Sequence, residues 1–189
     1  INMNKIKKGF TLIELLLVIA LLGALAVALL AALDPLEQIK KGTDTGVRNT
    51  VAEIHGAMVR YSSLQGGQMP YTGTLDFTAF GTVTSTSAFQ ALQAVINQGE
   101  LKSDFAALAG KQLNSVFLTG INDPVSGNQI VNVCYAPTAK SFKTDLNTKF
   151  VYTSGQGSVT EDPLTGQATG CPNVNGTNAA GQQCYWCVR

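Results

Sequence analysis

The chain has 189 residues, enough for one domain with a real core and too few for two full ones. Charged residues make up 13%, about half the usual globular share, while hydrophobic residues reach an ordinary 45%. A formal net charge of +1 leaves no electrostatic footprint for nucleic acid. The first third holds one dense apolar block; the rest is rich in Gly, Thr, Ser and Asn, which suits an exported, weakly charged domain.

From Leu15 to Leu33 no charged residue occurs, and Leu, Ala, Val and Ile dominate. At about 1.5 Å per helical residue this span approaches the roughly 30 Å hydrocarbon thickness of a bilayer. Lys5, Lys7 and Lys8 precede it and no basic residue follows closely, so the amino end should stay cytoplasmic and the remainder be exported. A secretory signal peptide would be cut after the apolar run, near Ala31 and Ala32. Against that reading stands Glu14, a carboxylate that would cost on the order of 3 kcal/mol if isolated in lipid. Ordinary signal sequences have no use for it.

The string Lys7-Lys8-Gly9-Phe10-Thr11-Leu12-Ile13-Glu14 resembles the prepilin motif of type IV pilins and type II secretion pseudopilins. The resemblance implies removal of residues 1–9 by a prepilin peptidase, with the cut between Gly9 and Phe10. Gly9 offers the least obstruction to a protease at the membrane face. Cleavage would free an α-amino group at Phe10, and residues 10 and 14, one helical turn apart, would share a face. The family carries an N-methyl group on that amine and uses the acidic residue as the charge partner that aligns each incoming subunit. These roles fall on Phe10 and Glu14. Without its leader the chain keeps ten basic against twelve acidic residues. Gly23, inside the span, matches a glycine common in the family and permits close helix approach.

Segment 10–33 thus reads as the membrane and filament-core helix, and 34–65 as its amphipathic continuation. Apolar or small residues recur at Leu36, Ile39, Thr43, Val47, Val51, Ile54, Met58, Tyr61 and Leu64, the spacing of one helical face. Asp34-Pro35-Leu36-Glu37 has the form of a capping box with Pro at the first position, which would start a second helix. It equally fits a kink in one continuous helix. Lys40, Lys41 and Arg48 read as a solvated or subunit-contact face, and His55 as a packing or surface residue.

The head, 66–189, opens with breakers at Gln65–Pro70. Its first part, 66–114, is a connecting region. Residues 71–86 read as loop, Ala88 to Asn97 as a short amphipathic helix closed near Gly99, and Leu101 to Leu113 as another helical piece. In 115–189, strands are expected at Ser115–Leu118, Gln129–Tyr135, Lys149–Thr153 and Gln183–Val188, with a turn at Asp123–Asn128. The expected fold class is α+β: a long helical spine against a three- or four-stranded antiparallel sheet, the pilin fold of the family.

Four cysteines, Cys134, Cys171, Cys184 and Cys187, all lie in the last third. An even number in an exported region favours disulfides over a zinc site or a redox Cys-x-x-Cys. Cys184 and Cys187 would face opposite ways on a strand; the pairing favoured is Cys134 with Cys187 and Cys171 with Cys184. Glu161 and Asp162 only loosely resemble a calcium loop. No catalytic group, metal or cofactor is expected. The resemblance implies a helical homopolymer, with prepilin peptidase, a platform protein and an assembly ATPase as partners. It places the precursor in the cytoplasmic membrane and the product in a filament on the cell surface. A pseudopilin of a secretion system, a membrane-anchored adhesin or DNA-uptake module, and a secreted enzyme behind an ordinary signal are the alternatives.

Overall fold

The computed structural model describes residues 9–32, 34–81, 87–123, 128–152, 159–161, 171, 175–178 and 180–189. They belong to two compact units, Ile1–Gln38 and Ile39–Arg189.

In the first unit, α1 (Leu12–Ala32) is an apolar helix of 21 residues with no buried side chain, long and apolar enough to cross a membrane. Leu33, where the span was expected to end, lies outside the described residues. A second helix, α2 (Pro35–Leu64), then begins. Asp34 Oδ1 accepts a hydrogen bond from the Glu37 backbone N–H at 3.2 Å, and its carbonyl accepts one from Gln38. Of the two readings of Asp34-Pro35, the capped start is the one observed: Pro35 occupies the first helical position, where its missing N–H removes no intrahelical bond.

In the second unit, α2 buries Val47, Val51, Ile54, Ala57 and Met58, a stripe at intervals of three and four. Val47, Val51, Ile54 and Met58 each contribute roughly 1.5–3 kcal/mol through apolar burial. The stripe is shorter than its sequence pattern. Leu36, Ile39 and Leu64 are 67%, 66% and 61% exposed, because burial along α2 runs only from Asp44 to Ser62.

The sheet facing α2 has the order β1-β2-β3-β6, antiparallel throughout. Its strands are β1 (Gly73–Ala79), β2 (Val116–Asp123), β3 (Asn128–Tyr135) and, after the elements below, β6 (Trp186–Val188). β1 corrects the reading of 71–86 as loop. Thr and Gly dominate the composition there, yet Gly73–Leu75 and Thr78–Ala79 pair with β2 on either side of a bulge that holds Asp76 and Phe77. Residues 82–86 lie outside the described set. Between β1 and β2 come α3 (Ser87–Asn97), which buries Ala88, Ala91, Leu92 and Val95, then α4 (Phe105–Ala109) and a 3₁₀ turn, Gly110–Ser115. Ser115 therefore ends a turn rather than starting a strand. β2 also runs on to Asp123, past the expected Leu118. Asp123 and Asn128 pair across the β2–β3 hairpin, whose tip, 124–127, lies outside the described residues.

Beyond β3 lie α5 (Lys140–Lys143), β4 (Phe150–Tyr152) and β5 (Val159–Glu161). Lys149–Thr153 was expected in the main sheet. Instead β4 pairs with β5 in a separate two-stranded sheet and is bridged to the tail at Phe150–Tyr185. β6 is also shorter than Gln183–Val188. Val116, Leu118, Val131, Val133 and Tyr135 join the cluster that includes the α2 stripe. Cys134, Phe150 and Val159 centre a second cluster that holds Phe77, Tyr152 and Tyr185. Phe77 stacks on both Phe117 and Tyr152, with ring centroids 4.7 and 4.6 Å away.

Gly120, in the middle of β2, is a point of close approach. A Cβ there would meet the Tyr71 hydroxyl and the Ile130 carbonyl, which are hydrogen-bonded to each other at 2.8 Å. Gly120→Ala is expected to destabilise the head by about 2–3 kcal/mol, since one neighbour is backbone and cannot swing away. Denaturant unfolding monitored by tyrosine fluorescence measures it; a change under 0.5 kcal/mol would show that the strands part freely there.

Candidate functional site

Gly9 and Phe10 are exposed and precede α1, whose first residue is Leu12. Lys7 and Lys8 lie outside the described residues. Phe10 is therefore not on the helix, contrary to the expectation that residues 10 and 14 occupy successive turns of it. The reason is a capping interaction that the sequence pattern Thr11-x-x-Glu14 could have announced. The Thr11 backbone N–H and hydroxyl both donate to Glu14 Oε2, at 2.9 and 2.8 Å, and the Glu14 N–H donates back to Thr11 Oγ1 at 3.3 Å. Thr11 thus caps the helix and holds the carboxylate at its amino end, where the helix dipole favours a negative charge. Phe10 and Glu14 still share one side of the segment, bordering a shallow depression with Ile13, Leu17 and Val18. Within α1 no other charged residue occurs.

A Cβ built on Gly9 or on Gly23 meets nothing within 4 Å. Neither glycine is demanded by packing inside this chain.

The charges on α2 divide differently from the sequence reading. Asp44 is 2% exposed and accepts three hydrogen bonds, from the Thr138 N–H and hydroxyl and from the Ala139 N–H, at 2.8–2.9 Å. One turn on, Arg48 donates to the Tyr135 hydroxyl (2.9 Å) and to Asp145 (2.8 Å), and its guanidinium lies over the rings of Phe142 and Trp186. Arg48 is therefore no solvated or subunit-contact charge: it and Asp44 clamp the segment that follows β3 onto the spine. Burial alone would raise the Asp145 carboxyl, but the Asn147 N–H and the Arg48 guanidinium outweigh it and hold it below its ordinary range. Burial pushes the Tyr135 phenol up to about 12 despite Arg48, so it stays protonated. Lys40 is exposed.

Cys134 is bonded to Cys187, directly across the β3–β6 ladder, and Cys171 to Cys184. Cys184 lies outside β6. His55 is half-buried; burial lowers its pKa, opposed by a hydrogen bond to the Val131 carbonyl. Among the described residues no group of three or more His, Cys, Asp or Glu is placed to hold a metal ion. Glu161 ends β5, and Asp162 lies outside the described set.

Residues 4–30 match the family model described as the prokaryotic N-terminal methylation motif. No curated protein and no solved structure matches the chain.

Proposed function

Since the chain carries the prepilin-type leader of type IV pilins and pseudopilins, we propose that it is a structural subunit of a type IV pilus-like extracellular filament. The observation that carries this reading is Glu14, capped in place by Thr11 at the head of a helix with no other charge. A carboxylate there is costly in lipid unless a cation meets it. Cleavage after Gly9 makes that cation, the α-ammonium of Phe10, next to Glu14 along the same side of the chain. N-methylation keeps its charge.

In this reading residues 1–9 are the removed leader, 10–33 anchor the precursor in the cytoplasmic membrane and later form the filament core, 34–65 continue the spine, and 66–189 form the displayed head. The partners are further copies of the chain, a prepilin peptidase, a membrane platform and an assembly ATPase. The bridges Cys134–Cys187 and Cys171–Cys184 would each stabilise a Gly- and Asn-rich tail by roughly 2–4 kcal/mol. The open space around Gly9 supports a requirement imposed from outside the fold, by the peptidase's need for unobstructed backbone.

Amino-terminal mass spectrometry of the chain from its own cells tests the reading: Phe10 should be first, bearing one methyl group. Gly9→Val should accumulate uncut in the membrane. A first residue just after Ala32 would instead return the chain to the ordinary exported proteins.

A further inference from the structure

The stripe of α2 that is buried from Asp44 to Ser62 continues toward the amino end of the helix without cover. Leu36 and Ile39 stand three residues apart on that side, both largely exposed. Lys40, four residues after Leu36, borders the same side. It is exposed and joins no ion pair among the described residues.

A second uncovered surface lies on the flank of the head. A groove of about 320 Å³ runs between Thr50 and Glu53 on α2 and the stretch that carries Lys102, Phe105, Leu108 and Gln112. The Thr50 hydroxyl donates to Gln112 Oε1 at 3.0 Å and ties the two walls together. Phe105 is buried, whereas Leu108 is 74% exposed, the most exposed large apolar side chain among the described residues of the second unit. Glu53 and Lys102 are exposed, and neither joins an ion pair among the described residues. A small ligand is fixed by polar groups that converge on it inside a pocket. Here both charges sit at the rim, the arrangement that suits a protein side chain entering from outside.

We propose that this groove receives the first turns of α2 from a second copy of the chain. Leu36 and Ile39 of the incoming helix rest on Phe105 and Leu108, and its Lys40 faces Glu53. The mode is a helix in a groove, held by anchors at i and i+3. Charge sets the orientation: Glu53 attracts Lys40 while Lys102 repels it, so Lys40 lies against the α2 wall. Leu146, exposed on the turn after α5, presents one anchor rather than two. The two surfaces are different patches of one chain, so each copy that docks leaves an open groove at one end and an open helix at the other. Such a contact lets copies add in a line. The inference rests on the filament reading and adds to it a contact in which Glu14 has no part.

The test compares filament yield from cells making full-length parent or variant chains, with mass spectrometry confirming the cut after Gly9 in each. Glu53→Lys and Lys40→Glu should each lower the yield by about tenfold or more, and the double variant, which restores the pair in reverse, should recover most of it. Leu108→Asp should lower the yield as well, with the near-ultraviolet dichroism of the head unchanged. Parental yield from both charge variants overturns the proposal, as does a double variant no better than the singles. Loss of filaments on Leu146→Asp but not on Leu108→Asp overturns it too, since a different surface would then fill the contact. If the parent chain itself forms no filaments, the filament reading falls and this contact falls with it.

Discussion

Glu14→Gln should be cut after Gly9 and inserted in the membrane like the parent, yet give no filaments. The substitution separates two roles of one side chain. Gln still accepts from the Thr11 N–H and hydroxyl through its amide oxygen, so the helix start that Glu14 closes is kept. What is lost is the charge. An α-ammonium at Phe10 would then enter an apolar filament core without its counter-ion, at a cost on the order of 3 kcal/mol per subunit. Because every added subunit incurs it, growth falls by about a hundredfold per step and polymer disappears. Sheared filaments weighed against membrane precursor give the readout, with mass spectrometry confirming the cut. Filaments in normal yield would remove Glu14 from the assembly mechanism.

Asp44→Ala is expected to cost about 3–4 kcal/mol in the head. The substitution removes three hydrogen bonds to a buried carboxylate and leaves the N–H of fully buried Ala139 without its acceptor. For a domain of this size the midpoint of thermal unfolding should fall by about 8–12 °C. The contrast is Arg60→Ala. Arg60 pairs with Glu100 at 2.8 Å but its side chain is 55% exposed, so its loss should cost less than about 1 kcal/mol. Near-ultraviolet dichroism of the two full-length variants in the same detergent compares them. If Asp44→Ala melts no lower than Arg60→Ala, the clamp after β3 contributes nothing measurable.

These two residues show what a linear reading reaches. Glu14 stood out because its context is one-dimensional: a single charge at the head of an uncharged run. Asp44 looked equally ordinary on a helix of mixed charges, since its partners Thr138 and Ala139 lie 94 and 95 positions away. Arg48 misled for the same reason. The α2 stripe was visible in its spacing, but nothing along the chain tells where the covering sheet stops, so Leu36 and Ile39 were assigned to a core that leaves them exposed. β1 was hidden because Thr and Gly serve loops and edge strands alike, and the strand exists through its pairing with β2. Thr11 carries a local signal as well: Thr11-x-x-Glu14 has the form of a capping box and overlaps the protease motif.

Arg48 has one more consequence, for how the head comes apart. Its guanidinium touches Tyr135 on β3, Phe142 in α5, Asp145 in the following turn and Trp186 on the terminal strand. β6 has three residues and is also tied to β3 by the Cys134–Cys187 bridge. Here fraying strips a ring from a cation rooted in the spine, so the tail and the helix should open as a single cooperative step, with matching hydrogen-exchange free energies at Trp186 and Arg48.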